Sequence, residues 1–217
     1  MSLGDEQDNK QDNRTQFKGK KSTTKMYRAK IVSGTKYSIV KAQALDLEQI
    51  VKIYNQSILT KKATADLTPV SIKDRQVWFD THQQRPERPI YVIKNQDDQV
   101  MAWGCFSDVK DRSAYHISAE ISIYVHSSFQ RRGLASHLLQ WMLDQAPELG
   151  IYNILALIFA HNEPSLALFS NFGFTIWGKL PQVCDMQTFI ADIVIMGKQL
   201  AASTNIVDAE GVEPINH

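Results

Sequence analysis

The hydrophobic pattern of this chain changes its period repeatedly, and that alternation constrains the fold more than any other feature. Apolar residues alternate with polar ones in segments such as 37–42 and 117–125, but they recur every third or fourth residue after positions 47 and 134. A period of two is typical of strands, and a period near 3.6 is typical of helices. The predicted order β-α-α-β-β-β-α-β-α-β-β favours a single mixed sheet with helices on its faces, an α/β class.

Local signals place several of these elements. Ser71 and Asp74 form a capping box that predicts the start of the second helix. Segments 90–93 and 100–106 flank the turn-like sequence NQDDQ, which predicts a β-hairpin. The apolar run ILALIF, residues 154–159, is typical of a strand buried on both faces. A short helix is expected after Pro164, followed by closing strands at 174–180 and 189–196.

Composition sets the predicted domain boundaries. Residues 1–36 are rich in Asp, Gln, Asn, Lys and Thr, so they bury too little apolar surface to offset the entropy of ordering. We expect a disordered basic arm over 1–36, one domain over 37–200 and a flexible tail over 201–217. The chain is 43% hydrophobic and 22% charged, which is typical of a globular protein with a substantial core.

Charge and cysteine content argue against several functional classes. The 24 Lys and Arg residues nearly balance the 23 Asp and Glu, so no overall field draws the chain to nucleic acid or an anionic membrane. Its two cysteines, Cys105 and Cys184, lack the spacing of a zinc site or disulfide framework. Apolar runs are shorter than the ~18 residues of a membrane span. We therefore expect a cytoplasmic protein without a metal, a specific nucleic-acid partner or a membrane partner.

The most informative stretch is EISIYVHSSFQRRGLA, residues 120–135, because a predicted strand leads through a short loop into a helix. Unpaired N–H groups at a helix start favour anions, and Gly133 allows a ligand to approach the backbone closely. Gln130, Arg131 and Arg132 add hydrogen-bond donors and charge. The alternative is an ordinary glycine at a loop–helix junction beside solvated arginines.

In this stretch the sequence resembles the GNAT superfamily of acetyl-coenzyme A-dependent N-acetyltransferases. QRRGLA fits that family's Q/R-x-x-G-x-G/A motif. Five blocks further resemble its phosphinothricin and methionine sulfoximine acetyltransferase branch: IYN (53–55), RSAY (112–115), AEISIYVH (119–126), HNEPSLALF (161–169) and FGF (172–174). The resemblance implies the GNAT fold, a mostly antiparallel mixed sheet flanked by helices on both faces. It also implies direct acetyl transfer from acetyl-CoA to an amine.

The resemblance implies a coenzyme site built largely from backbone. The pantetheine arm would pair with the motif strand, and the pyrophosphate would lie on the turn at residues 131–136. Asn162 and Ser165 are also ordinary helix-start residues, so that interpretation stays open. The implied coenzyme-binding residues are Ile123, Tyr124, Val125, His126, Gln130, Arg131, Arg132, Gly133, Leu134, Ala135, Ser136, Asn162 and Ser165.

Acetyl transfer needs a neutral amine and a donor for the oxyanion, and the resemblance implies that Glu120 is the general base. Strand alternation places Glu120 on one face with Ser122 and Tyr124, where it is alternatively a solvent-facing residue. A strand N–H near Tyr124 or Val125 is the expected oxyanion donor. Phe169 stands where many superfamily members have a Tyr that protonates the leaving thiolate. Water or the substrate ammonium would then supply that proton, or the thiolate would stay ionised until release.

The acceptor side is less closely matched. The resemblance implies that Arg112, Tyr115, Ser122 and Tyr124 bind the substrate, and a guanidinium suits a carboxylate or sulfonyl-like oxygen. Ala65 and the VCDM sequence at 183–186 depart from the branch.

The expected acceptor is the α-amine of a small amino acid or analogue such as phosphinothricin, methionine sulfoximine or methionine sulfone, and the expected assembly is a homodimer. One alternative is an acetyltransferase that acts on a protein N-terminus, a lysine or a polyamine. The others are a non-catalytic acyl-CoA sensor and a nucleic-acid binder that uses the basic arm.

Overall fold

The computed structural model describes residues 30–32 and 35–201, and this part of the chain forms one sheet with four α-helices. The strands are β1 (Lys30–Val32), β2 (Thr35–Lys41), β3 (Ile90–Asn95), β4 (Val100–Asp108), β5 (Ser118–Val125), β6 (Asn153–Phe159), β7 (Thr175–Asp185) and β8 (Ile190–Gln199). The helices are α1 (Leu47–Thr60), α2 (Ile72–Gln84), α3 (Leu134–Gln145) and α4 (Glu163–Asn171).

The strands lie in the order β1-β2-β3-β4-β5-β6-β8-β7, and β5–β6 is the parallel pair among otherwise antiparallel neighbours in the described sheet. The predicted order of elements and the mixed, mostly antiparallel sheet are confirmed. The sheet also contains β1 and the first residues of β2, which lie inside the predicted arm, so pairing begins before residue 37. The rest of the predicted arm and residues 202–217 of the tail lie outside the described residues.

Helices cover both faces of the sheet, as predicted. Leu134, Leu138 and Met142 of α3 pack with Phe169 of α4 against one face. Residues Ile50 and Ile53 of α1 and Phe79 of α2 pack against the other face, around Val92 and Trp103. Strand alternation separates the two clusters, because neighbouring side chains of one strand point to opposite faces.

The local signals at the second helix act as expected. The Ser71 hydroxyl accepts a hydrogen bond from the Asp74 N–H at 3.1 Å, and the Asp74 carboxylate accepts one from the Ser71 N–H at 3.3 Å. This reciprocal pair satisfies two backbone groups at the helix start. The first helix ends at Thr60, and its C-cap Lys61 has a φ of 52° that turns the chain away from the helix axis.

The parallel pair separates after a short contact, and this positions the site. Pairing between β5 and β6 runs from Ser118–Asn153 to Glu120–Leu155, after which the strands diverge. The expectation that β6 is buried on both faces is therefore wrong at Leu157, whose side chain is 47% exposed. Where β5 and β6 are no longer paired, their side chains and backbone groups face the gap between them.

Candidate active site

A cleft of about 460 Å³ occupies the gap between the diverging strands. Its walls come from β5, β6, β7 and α4, one residue each of α1 and β8, and the loop after α1. Polar groups on β5 and α4 thus face apolar side chains of β6 and β7 across one space. This combination of an apolar wall with a few polar groups is typical of small-molecule sites.

Glu120 lines this cleft as a half-buried carboxylate. No hydrogen bond or ion pair to the described residues holds its oxygens, and burial raises its pKa above the ordinary 4.5. Desolvation penalises the charged form, so the folded site makes this carboxylate a stronger base than a solvated glutamate. Such a group is suited to accept a proton from a bound substrate.

Aromatic rings form the wall beside Glu120. Tyr124 stacks on Trp103 with ring centroids 4.5 Å apart, and the Tyr54 ring meets Tyr124 edge-on at 5.2 Å. Burial raises the pKa of both tyrosines, so their hydroxyls stay protonated at neutral pH. The Arg75 guanidinium lies 4.4 Å from the centroid of Tyr54 and 4.3 Å from that of Trp78, which fixes the rings by cation–π contact.

The loop at residues 61–66, here called the clasp loop, is tied to both sides of the cleft. On the α1 side, the Tyr54 hydroxyl lies 2.7 Å from Thr64 Oγ1 and donates to Asp66 Oδ2 at 2.6 Å. On the α4 side, Asn162 Nδ2 donates to the Lys62 carbonyl at 2.8 Å. His161 Nε2 lies 2.9 Å from the Lys61 carbonyl oxygen. The loop is therefore held in place across the cleft opening.

Asn162 begins α4 as its N-cap. Its Oδ1 accepts a hydrogen bond from the Ser165 N–H at 3.3 Å, and its side chain is 8% exposed. The helix-start interpretation of both residues is confirmed by this contact. Both residues also line the cleft, so a coenzyme contact stays a prediction.

The turn before α3 has the backbone geometry expected of an anion site. Gly133 is the N-cap with a φ of 77°, no side chain caps the helix, and no heavy atom lies within 4 Å of a Cβ built on this glycine. Arg131 also has a positive φ, of 58°. The first-turn N–H groups of Leu134, Ala135 and Ser136 have no intrahelical partner and lie at the positive end of the helix dipole.

His126 links the end of β5 to α1. Its Nδ1 accepts a hydrogen bond from the Ser128 N–H at 3.2 Å, and its Nε2 lies 3.2 Å from Gln56 Nε2. Gln56 Oε1 also accepts from the Ser127 N–H at 3.0 Å. Burial lowers the His126 pKa, so the imidazole is neutral at physiological pH. These contacts give His126 a role in fixing the loop that precedes the α3 turn.

The structure brings together part of the predicted site. One group of predicted residues lines the cleft: Glu120, Ser122, Ile123, Tyr124, Asn162 and Ser165. The other predicted coenzyme-binding residues lie outside that lining, on the segment that leads from β5 to α3: Val125, His126, Gln130, Arg131, Arg132 and the 133–136 turn. Arg112 and Tyr115 lie in an exposed loop that contributes nothing to the lining, so their substrate role stays a prediction. Phe169 is buried and does line the cleft.

Sequence reasoning missed several lining residues. Tyr54 has the helical spacing of a core residue, and its hydroxyl gives no sequence signal of a second role. The clasp-loop residues Lys62 and Thr64 belong to no periodic pattern. Val183 and Cys184 reach the cleft because β7 extends to Asp185 rather than ending near the predicted residue 180. Contacts of this kind depend on tertiary structure.

The described residues also limit the classes of metal and membrane site. Residues 30–32 and 35–201 contain no group of three or more His, Cys, Asp or Glu side chains arranged to hold a metal ion. None of the helices in the same part of the chain is both long and apolar enough to cross a membrane.

The mixed sheet opens between two parallel strands, and the helix that follows β5 starts without a side-chain cap. The chain belongs to the Acetyltransferase (GNAT) family, whose sequence model matches residues 53–174. It is an acetyl-CoA-dependent N-acetyltransferase. The resemblance to the phosphinothricin and methionine sulfoximine acetyltransferases is confirmed by the relatives.

YwnH of Bacillus subtilis is 41% identical to this chain over 160 residues, which cover 74% of the chain and 97% of YwnH. The L-methionine sulfoximine/L-methionine sulfone acetyltransferase of Pseudomonas aeruginosa is 33% identical over 67% of this chain and 84% of that protein. A solved phosphinothricin acetyltransferase from Sinorhizobium meliloti in complex with acetyl-CoA aligns with a TM-score of 0.74 and 27% identity, covering 82% of this chain and 96% of that one.

Proposed function

We propose that this enzyme transfers an acetyl group from acetyl-CoA to the α-amine of a small amino acid or analogue by direct attack on the thioester. The acceptor class includes phosphinothricin, methionine sulfoximine and methionine sulfone. The observation that carries the proposal is Glu120, a half-buried carboxylate with a raised pKa that faces the cleft beside the open edge of β5. The printed activity of the Pseudomonas aeruginosa relative supports the acceptor class.

The donor side of the site fits acetyl-CoA. Beyond Glu120 the backbone of β5 has no pairing with β6, so an extended pantetheine arm can add to that edge like a strand. At the end of the same path, the Gly133 turn offers free N–H groups and open space to a pyrophosphate. The acetyl-CoA complex of the Sinorhizobium meliloti neighbour supports this assignment.

In the reaction, Glu120 accepts a proton from the acceptor ammonium, directly or through a water molecule. The neutral amine then attacks the thioester carbonyl carbon, and the new C–N bond places negative charge on the carbonyl oxygen. A β5 N–H near Tyr124 or Val125 donates to that oxyanion. Collapse of the intermediate breaks the C–S bond, and loss of one of the two protons left on the nitrogen gives the N–H amide and the coenzyme A thiolate.

The leaving group requires no acid from α4. Phe169 is 5% exposed, lines the cleft and packs against Phe174 with centroids 4.9 Å apart, so that position supplies no proton. A free thiol has a pKa of roughly 8.5, so a thiolate is a stable leaving group near neutral pH. Water or the substrate's own proton can neutralise it after the C–S bond has broken.

Arg112 and Tyr115 remain proposed acceptor contacts. Tyr115 is 43% exposed and follows Arg112 in the loop that leads into β5. If Arg112 binds the acceptor, Arg112→Ala raises the KM of the acceptor more than the KM of acetyl-CoA. Equal increases in the two KM values would exclude this role.

We also propose a cytoplasmic homodimer. Leu157 and Val183 are 47% and 51% exposed at the open cleft, and a second copy would bury such side chains. Light scattering on the purified full chain tests the assembly, because a monomer mass at micromolar concentration contradicts it.

The proposed function is tested by a thiol-release assay with acetyl-CoA. The acceptor panel contains phosphinothricin, methionine sulfoximine, methionine sulfone, the ordinary amino acids, spermidine and a peptide mixture. We expect turnover confined to the amino acids and their analogues. Turnover only with spermidine or peptides would overturn the acceptor class, and coenzyme binding without any turnover would favour an acyl-CoA sensor.

A further inference from the structure

Two charged residues, Lys62 and Glu120, lie among the described residues that line the cleft. Lys62 is in the clasp loop at the opening, and Glu120 is on β5 at the wall. The lining therefore combines one cation and one anion, with apolar and neutral polar groups between them. A zwitterionic ligand matches this distribution of charge, because each of its ends meets an opposite charge.

The backbone of Lys62 is fixed while its side chain is exposed. Its N–H donates to Thr60 Oγ1 at 3.2 Å, and its carbonyl accepts from Asn162 Nδ2 at 2.8 Å. The preceding residue is fixed as well, since Lys61 Nζ donates to the Met186 carbonyl at 3.0 Å. No acidic side chain in the described part of the chain forms an ion pair with Lys62. The ammonium group thus belongs to a residue of the cleft lining and has no ion pair with the described residues.

We infer that Lys62 binds the carboxylate of the acceptor while Glu120 faces its α-amine. The inference rests on the proposed function and narrows it to acceptors that carry a free carboxylate beside the reacting amine. A polyamine would bring a second positive charge toward Lys62, and a peptide N-terminus has an amide in place of the carboxylate. The cleft charges therefore favour free amino acids over both alternatives.

Lys62 differs from Arg112 in position. Arg112 lies in an exposed loop outside the lining, whereas Lys62 contributes to the same space as Glu120. Neighbouring clasp-loop residues are small, since Ala63 and Ala65 also line the cleft and leave room for the acceptor. The clasp loop thus combines space for the acceptor with a cation for its carboxylate.

The test compares two acceptors in four proteins: wild type, Lys62→Gln, Lys62→Arg and the control Lys73→Gln. Lys73 is an exposed lysine on α2 outside the cleft lining. The acceptors are L-methionine sulfone and its carboxamide, in which the carboxylate is replaced by a neutral group. Because both backbone contacts of Lys62 survive a side-chain change, the glutamine variant removes the charge without releasing the clasp loop.

We expect Lys62→Gln to raise the KM of L-methionine sulfone by about tenfold, the scale of one charge-assisted contact, and to leave the acetyl-CoA KM unchanged. The carboxamide should bind the wild type weakly and be insensitive to the substitution. Lys62→Arg should retain most of the affinity, and Lys73→Gln all of it.

Three outcomes would overturn the inference. One is an unchanged acceptor KM in Lys62→Gln, and another is an equal loss for acid and carboxamide. The third is a rise confined to the acetyl-CoA KM, which would assign Lys62 to the coenzyme. The activity of the wild-type enzyme toward amino acids separates failure of the inference from failure of the proposed function. If the wild type turns over no amino acid, the proposed function is overturned and the inference with it.

Discussion

The two halves of the proposed active site are built from different parts of the polypeptide. The proposed donor half consists of backbone groups: the open edge of β5 in the cleft and, outside the cleft lining, the N–H groups at the start of α3. The proposed acceptor half consists of side chains, namely those of Glu120 and the clasp-loop residues around Lys62, which line the cleft. Backbone groups are common to all residue types, so most substitutions leave a backbone site intact, whereas a side-chain site changes with each substitution.

This difference explains why the donor motif is recognisable while the acceptor side departs from the branch. In the donor half, residue identity matters most at Gly133, because its φ of 77° is strained for other residues. In the acceptor half, each lining residue sets shape or charge directly. Substitutions in the two halves should therefore separate the kinetic constants of acetyl-CoA from those of the acceptor.

The largest expected effect is that of Glu120→Gln. Loss of the general base should lower kcat by about 10²-fold or more, with little change in the acetyl-CoA KM, because the amide cannot accept the ammonium proton. Steady-state kinetics at saturating acetyl-CoA measure this. Glu48→Gln, at an exposed position in the first turn of α1, is the control. A Glu120→Gln enzyme with wild-type kcat would remove Glu120 from the chemistry.

A smaller effect is expected at the α3 turn. Gly133→Ala should raise the acetyl-CoA KM by about tenfold, since a strained φ costs of order 1–3 kcal/mol and the new methyl group enters the space assigned to the pyrophosphate. Gly150→Ala is a matched control, because Gly150 has a φ of 73° and equally open surroundings after α3. Both variants should lose similar stability in urea unfolding. Equal acetyl-CoA KM values for the two variants would contradict the phosphate assignment.

Glu120 should also affect stability in a pH-dependent way. Its raised pKa means that the folded protein binds more protons than the unfolded chain just above pH 4.5, so wild-type stability falls as pH rises through that window. Glu120→Gln has no charge to bury, so its stability relative to wild type should increase from pH 4.5 upward. Urea unfolding at several pH values measures this difference. A difference independent of pH would mean that the carboxylate is fully solvated.

The smallest effect is expected for Phe169→Tyr. At pH 8.5 the kcat should stay within about twofold of wild type, because the leaving thiolate is already stable near its own pKa. Stopped-flow thiol release would separate this chemical step from product release. A large increase in kcat would show that protonation of the thiolate limits the wild-type enzyme.

Much of the fold follows from the sequence because its signals are local. The alternation at 117–125 and the helical stripe after Leu134 each specify an element without reference to the rest of the chain. The capping box at Ser71 and Asp74 is equally local, and it forms as predicted. The separation of β5 from β6 is not local. This separation leaves the side chain of Leu157 exposed, although the apolar run around it predicts that it is buried.

The residues of the candidate site also divide into those with a local sequence signal and those placed only by tertiary structure. Gly133 is predictable because a strand–loop–helix motif carries it, and the base role of Glu120 is predicted by the family resemblance. Lys62 and Tyr54 are not, since they reach the cleft only after α1 packs on the sheet and the clasp loop binds Asn162. A loop without hydrophobic periodicity gives a sequence reader no indication of where its side chains will lie.

The hydrogen bond from Asn162 to the Lys62 carbonyl has a consequence for engineering this enzyme. One amide side chain caps α4 and also holds the loop that shapes the acceptor half. A loop of different length grafted from a relative would have to present a backbone carbonyl at the same point, or α4 would begin beside an unsatisfied donor. Exchange of acceptor specificity by loop grafting should therefore succeed only when the loop and the start of α4 are transferred as one unit.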